Sequence, residues 1–352
     1  MDRHSEALSL LHNGTVIPAI PLVLDENRRF DEAGQRRLVR YYLHAGAGGV
    51  AVAVHTTQFE IRKPEVGLFR PVLQIAAEEM TRYEQESGRV VVRVAGVCGP
   101  IEQAVAEAET ARELGFDAVL LSPGGLGDYS DRYLIERTAA VAAVMPVIGF
   151  YLQTACGGRR LGFEYWKAVA GVPNVAAIKC ASFDRYQTLD LVRGVACSNR
   201  SDEVALYTGN DDNIVIDLLT EYRFEVDGNV ISKRFVGGLL GHWSLWTNTV
   251  VKLYEELRQY QDGRDVPARL LTLAAEVSDC NGAFFDVAHR FAGCIPGVHE
   301  VLRRQGLMRG DWCLNPDEVL SPGQAEEIER VCRMYPHLSD DAFVAEFLQN
   351  DH

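Results

Sequence analysis

Positive charge is scarce in this chain. Its 352 residues carry 35 lysines and arginines against 49 aspartates and glutamates, a formal net charge of -14. Phosphate contacts need clustered lysine and arginine, so nucleic acid is excluded as an expected partner. Long apolar runs are missing too. The longest, Ala139 to Leu152, is about fourteen residues, contains Pro146 and falls short of the ~20 that a spanning helix needs. Near the N-terminus, the apolar stretch Ala7 to Leu11 is too short for a signal-peptide core, and a cytoplasmic location with no membrane partner is expected. The eight cysteines are scattered and form none of the CxxC pairs of zinc or thioredoxin-like sites; they read as reduced thiols, mostly buried. No internal repeat or low-complexity linker occurs. Gly124-Gly125-Leu126-Gly127 fits neither a dinucleotide fingerprint nor a P-loop. Asp211-Asp212 reads as a helix opening and Asp340-Asp341 as a surface cap, so neither pair is assigned a metal.

What is present is a globular composition, 47% hydrophobic and 24% charged, arranged in alternation. Short β-branched runs at 16–22, 49–54, 90–94, 118–121, 146–151, 175–179, 204–208 and 235–240 read as eight strands. Segments of helical period separate them, at 31–45, 101–114, 131–144, 163–170, 186–195 and 212–222. Eight such units without a long interruption predict an α/β fold, a (β/α)8 TIM barrel. The alternation at 224–232 around Asp227-Gly228-Asn229 predicts a hairpin inserted near 223–234. After a helix at 243–260 only helical patterns remain, including 296–306 and 323–334. The expected division is therefore a barrel at 1–262 and a C-terminal helical extension at 263–352, packed on the barrel.

Lysine itself is the rarest of the charged residues, with only five copies (63, 167, 179, 233 and 252). Lys179 ends the apolar run Val175-Ala176-Ala177-Ile178, which places an amine at the C-terminal end of a barrel strand, where such folds build active sites. Burial there penalises the ammonium form and supplies the free amine that attacks a ketone, which arginine cannot do. An ion pair in the barrel mouth is the alternative. Tyr151 closes the preceding strand, either as a phenol that relays protons or as a rim aromatic packed under a loop. His55-Thr56-Thr57 ends strand two, with two hydroxyls and consecutive backbone N–H groups that can hold a carboxylate. His55 is a candidate acid/base group, or a histidine bonded to a loop carbonyl, and His242 is a weaker candidate of the same kind.

These pieces, from Gly14 to about Leu307, resemble the dihydrodipicolinate synthase and N-acetylneuraminate lyase family. Thr56-Thr57 is similar to its Gly-Thr-Thr-Gly-Glu segment and Tyr151 to its Tyr-Asn-x-Pro tyrosine. Ile178-Lys179-Cys180-Ala181-Ser182 is similar to its Ile-Lys-x-Ala-Ser, and Thr208-Gly209-Asn210-Asp211 to its Ser-Gly-Asp-Asp. The resemblance implies a lyase in which Lys179 forms a Schiff base with pyruvate or another 2-oxo acid, with Tyr151 and Thr57 as further catalytic residues; His55, which stands where the family has glycine, is read as an acid/base group that offsets a lost relay tyrosine. The resemblance implies Thr56 and Thr57 as residues that hold the 2-oxo acid carboxylate; Gly209, Gln153 and Arg159 are taken as further substrate-binding candidates, the last two at positions that depart from the family motif. It also implies no metal, no dissociable cofactor, an aldehyde or sugar acid as second substrate, and a homotetramer. Four departures point away from the lysine-biosynthesis synthase. The Gly-Glu of the threonine motif reads Gln58-Phe59, and Pro-Tyr-Tyr after strand four reads Pro123-Gly124-Gly125. Leu152-Gln153-Thr154 replaces Asn-x-Pro, leaving Arg159 or Arg160 as the nearest carboxylate-binding arginine, and the hairpin insertion is extra. A catalytically silent barrel that senses a 2-oxo acid or binds a partner protein, and an unrelated barrel enzyme, are the competing readings.

Overall fold

The computed structural model describes residues 2–261 and 264–351. Its strands are β1 (Val16–Pro18), β2 (Gly49–Val52), β3 (Val92–Val97), β4 (Ala118–Leu121), β5 (Val147–Leu152), β6 (Val175–Ala181), β7 (Ala205–Thr208), β8 (Tyr222–Val226), β9 (Asn229–Lys233) and β10 (Phe235–Leu240). Eight of these form one parallel sheet in the order β1-β10-β7-β6-β5-β4-β3-β2. The sheet closes on itself where Ala19 bridges Ala51 and the Ile20 N–H donates to the Ala51 carbonyl at 2.9 Å. The result is the predicted (β/α)8 barrel. The other two strands, β8 and β9, pair antiparallel around Asp227-Gly228 as the inserted hairpin.

Side chains alternate along every strand, so each contributes to two separate cores. Ile17, Val94, Leu120, Ile148, Ala177 and Tyr207 belong to the cluster that fills the barrel, while Tyr151, Ile178 and Cys180 pack outward against the helices. The N-terminal end of the barrel is plugged by a helix the sequence patterns did not reveal, Arg3–Asn13. Arg3 donates to Asp117 Oδ1 at 2.5 Å and to the Val91 carbonyl at 2.9 Å, and the Tyr207 hydroxyl donates to the Leu11 carbonyl at 2.7 Å. Access to the interior is therefore from the opposite, C-terminal face.

Several boundaries move for local reasons. β1 stops at Pro18 because Pro18 and Pro21 have no N–H with which to continue a ladder. β2 stops at Val52 because Ala53 adopts a left-handed φ of 60°. β3 runs on to Val97 because its ladder with β4 carries the weak strand formers Ala95 and Gly96 along. The longest helix, Phe69–Ser87, lies between β2 and β3 and was also not anticipated. All eight cysteines are free, but only Cys180, Cys280 and Cys313 are fully buried.

Beyond the last barrel helix, Thr247–Arg258, come four more: Arg269–Phe284, Cys294–Arg304, Gln324–Met334 and Asp341–Asn350. The expected boundary between 262 and 263 falls on residues outside those described. Asp340, expected at a surface cap, is instead 4% exposed and ties this region to the barrel helices. It accepts from the Tyr41 hydroxyl at 2.6 Å, the Asn248 N–H at 3.0 Å and Gln305 Nε2 at 2.8 Å. An Asp340→Ala substitution orphans these buried donors and is expected to cost about 3 kcal/mol, read as a lower midpoint in urea unfolding.

Candidate active site

A pocket of about 650 Å³, counted to its open mouth, lies at the C-terminal ends of the strands. Its floor is set by the pairing of β5 with β6, which places Phe150 opposite Lys179. Both residues point inward, and Lys179 Nζ lies 4.4 Å from the centre of the Phe150 ring. The lysine is 8% exposed, and among the described residues no carboxylate lies within 4.0 Å of its amine. The expected alternative role, a lysine held in an ion pair, is not seen. Gly209, at the end of β7, makes room for it: a Cβ there would stand 2.5 Å from Lys179 Cε.

Burial pushes the Lys179 amine well below the usual lysine range, and the charge of Asp211 opposes this only in part. Burial likewise pushes the Asp211 carboxyl well above the usual carboxylate range, against the pull of the His242 N–H and of Lys179. Desolvation disfavours either charge, so amine and acid approach one another in proton affinity. Asp211 is held from two sides. The His242 N–H donates to its Oδ1 at 3.0 Å, and Asn281 on the helix Arg269–Phe284 donates to its backbone carbonyl at 2.6 Å. His55 also lines the pocket, but burial and then the charge of Lys179 lower its pKa to about 4, so its imidazole is neutral at pH 7.

Residues 12–221 match the Dihydrodipicolinate synthetase family. The chain belongs to that family. N-acetylneuraminate lyase of Escherichia coli is 25% identical over 209 residues, which is 58% of this chain and 65% of that enzyme. Dihydrodipicolinate synthase from Oceanobacillus iheyensis superposes with a TM-score of 0.71 at 16% identity, over 96% of this chain and 100% of the other. A prophage protein of the dihydrodipicolinic acid synthase family from Escherichia coli, solved in complex with pyruvate, superposes with a TM-score of 0.70 at 16% identity, over 92% and 97%. These last two likenesses speak to the fold.

Within this family member, Lys179, His55, Thr56, Gln153 and Gly209 come together around the pocket. Three other expected site residues do not. Tyr151 follows Phe150 on β5 and therefore points out of the barrel. Its hydroxyl donates to Gln187 and accepts from the Leu161 N–H at 3.2 Å, and its ring packs 5.2 Å from that of Trp166. Thr57 is fully buried beneath the turn: its hydroxyl donates to the Ile20 carbonyl at 2.7 Å and its N–H to the Val54 carbonyl at 3.0 Å. Arg159 faces away and pairs with Asp131 at 2.6 Å. His242 is buried against Asn281 at 2.6 Å, where it supports Asp211 through its backbone and does not line the pocket.

Sequence reasoning missed Asp211, which it took for a helix opening, although its place just past β7 is the same rim that singled out Lys179. Phe150, Cys156, Phe285, Phe291 and Cys294 carried no such signal, the last three because they arrive from the C-terminal extension. A Tyr151→Phe variant loses one buried hydrogen-bonded hydroxyl. It is expected to unfold with about 1 kcal/mol less stability while keeping turnover within about threefold of the parent, measured by urea titration and steady-state kinetics.

Proposed function

We propose that this chain is a class I aldolase-type lyase in which Lys179 forms a Schiff base with pyruvate or a related 2-oxo acid. The observation that carries the reading is the unpaired Lys179 amine, buried at the barrel mouth and facing a cavity. Membership of a family that includes N-acetylneuraminate lyase supports it. The neutral amine adds to the ketone carbon, and loss of water leaves a protonated imine. That imine draws electrons from the neighbouring bond, so a C–C bond beside it can break or, through the enamine, form.

Protons must move at each step, and Asp211 is the group whose raised pKa suits it to both giving and taking one near neutral pH. His55, with its lowered pKa, is a poor proton store and serves as a neutral hydrogen-bonding neighbour. Thr56, at the pocket wall, donates its hydroxyl proton to the Ala19 carbonyl at 2.8 Å, which fixes the His55–Thr57 turn beside the space for the 2-oxo acid carboxylate. Gln153 adds a polar side chain to the same rim. The absence of a phenol beside Lys179, where Phe150 and not Tyr151 faces the amine, together with Arg159 outside the pocket, supports an activity other than the lysine-biosynthesis synthase. The same missing phenol favours a second reading, a barrel that forms the imine without turning over.

Borohydride reduction with pyruvate is expected to leave an adduct on Lys179 that mass spectrometry locates, and Lys179→Ala removes it. No adduct on the parent protein overturns the proposal; an adduct without turnover on any aldehyde supports the sensor. Gly209→Ala drives a methyl group into Lys179 and is expected to slow adduct formation at least about tenfold with unchanged circular dichroism.

The pH dependence follows from the two shifts. Neutral Lys179 grows as pH rises through its lowered pKa, and protonated Asp211 shrinks as pH rises through its raised pKa, so trapping describes a bell narrower than free lysine and aspartate allow. Asp211→Asn removes the negative charge that helps Lys179 keep its proton. The ascending limb of borohydride trapping should move to lower pH, while aldol turnover falls about 10²- to 10⁴-fold.

A further inference from the structure

The pocket is lined by four phenylalanines, Phe150, Phe183, Phe285 and Phe291, and among the described residues Lys179 is its one lysine or arginine. Three of the four, Phe183, Phe285 and Phe291, also line a second cavity just outside, whose wall includes exposed Asp212, half-buried Ser278 and buried Asn281. These three rings therefore stand at the junction through which a second substrate reaches the imine. They are built into position. The Phe183 and Phe291 rings stack at 5.8 Å with an angle of 10° between planes. Their backbones have left-handed φ values of 49° and 68°, conformations that cost a side-chain-bearing residue about 1 kcal/mol each.

The Phe183 N–H is held by Asn210 Oδ1 at 3.0 Å, and the Phe291 N–H by the Asp286 carbonyl at 2.9 Å. Asp286 is itself locked, accepting from the Gly293 N–H at 2.9 Å and the Ser321 hydroxyl at 2.5 Å. Phe285 lies against Gly241, where a Cβ would come within 3.0 Å of the ring.

We propose that the second substrate of this site is an uncharged aromatic aldehyde, or in the cleavage direction the aldol that yields one. The inference rests on the Schiff-base reading above and adds the substrate class. Asp212 lines the approach, and among the described residues no arginine or second lysine lines either cavity, so a second carboxylate or a phosphate meets no cationic partner there. A polyhydroxylated chain would set its hydroxyls against phenyl rings, losing hydrogen bonds to water without replacement. An aryl group instead stacks or packs edge-on against Phe183, Phe285 and Phe291. In the synthetic direction the enamine carbon attacks the aldehyde carbon and forms the new C–C bond. The aldehyde oxygen takes a proton and becomes a hydroxyl. Water then adds to the imine, the C–N bond breaks, and a hydroxylated 2-oxo acid bearing the aryl group leaves Lys179 as the free amine.

The test compares pyruvate addition to benzaldehyde, propanal, glyoxylate and N-acetylmannosamine, with pyruvate trapping on Lys179 measured in parallel. The expected result is a trapped adduct, with kcat/KM for benzaldehyde at least about tenfold above that for the other three, roughly what one well-placed aromatic contact contributes. Phe291→Ala should lower the ratio of benzaldehyde to propanal kcat/KM about tenfold, and Phe291→Leu, which keeps more apolar surface, should lower it less. If Phe291→Ala fails to fold, the Leu variant alone carries this comparison. An adduct with glyoxylate or N-acetylmannosamine preferred, or with no aldehyde turned over, overturns the aromatic assignment and leaves the imine reading standing. No adduct overturns both.

Discussion

An amine inside a barrel, with no carboxylate in contact, is the constraint on which the rest of this site depends. β6 carries Lys179 inward because alternation along a strand leaves it no other direction once Ile178 and Cys180 pack against the helices. Desolvation then favours loss of its proton, and Phe150 and the backbone at Gly209 leave it only the cavity to point into. A counter-ion at bonding distance would have restored the ammonium form and removed the nucleophile. Asp211 is near enough to be felt through charge, yet its own burial keeps it from being a full carboxylate.

The C-terminal extension is part of this arrangement. Asn281 holds the Asp211 backbone, and Phe285, Phe291 and Cys294 close the wall above the lysine. The extension is in turn fastened to the barrel through Asp340, whose buried carboxyl gathers donors from Tyr41, Asn248 and Gln305. Positioning of the acid, shaping of the pocket and stability of the helical region are thus linked through a small number of buried polar contacts. Such contacts are costly to break singly, since each partner left behind is buried.

Tyr151 and Thr57 show why a motif read in one dimension can place a residue correctly along the chain and wrongly in space. Tyr151 lies on the right strand, but the register pairs Lys179 with Phe150, and a one-residue offset in a strand exchanges inside for outside. Thr57 lies in the right turn, but a 3-10 turn over His55–Thr57 directs its hydroxyl under the main chain toward Ile20. Arg159 belongs to a loop whose path is decided by Asp131 and by carbonyls at 127 and 129, not by the pocket.

The sequence by itself determined the barrel, the hairpin and the place of Lys179. Periodicity of two and of 3.6, and a charge at the end of an apolar run, are local properties that survive without knowledge of the fold. Only the tertiary structure decided which neighbour faces that lysine and which acid shares its proton balance. It alone brought a ring from residue 183 onto a ring from residue 291. Those outcomes depend on register and on long-range packing, and register between distant strands is set by the whole closed sheet, not by any segment within it.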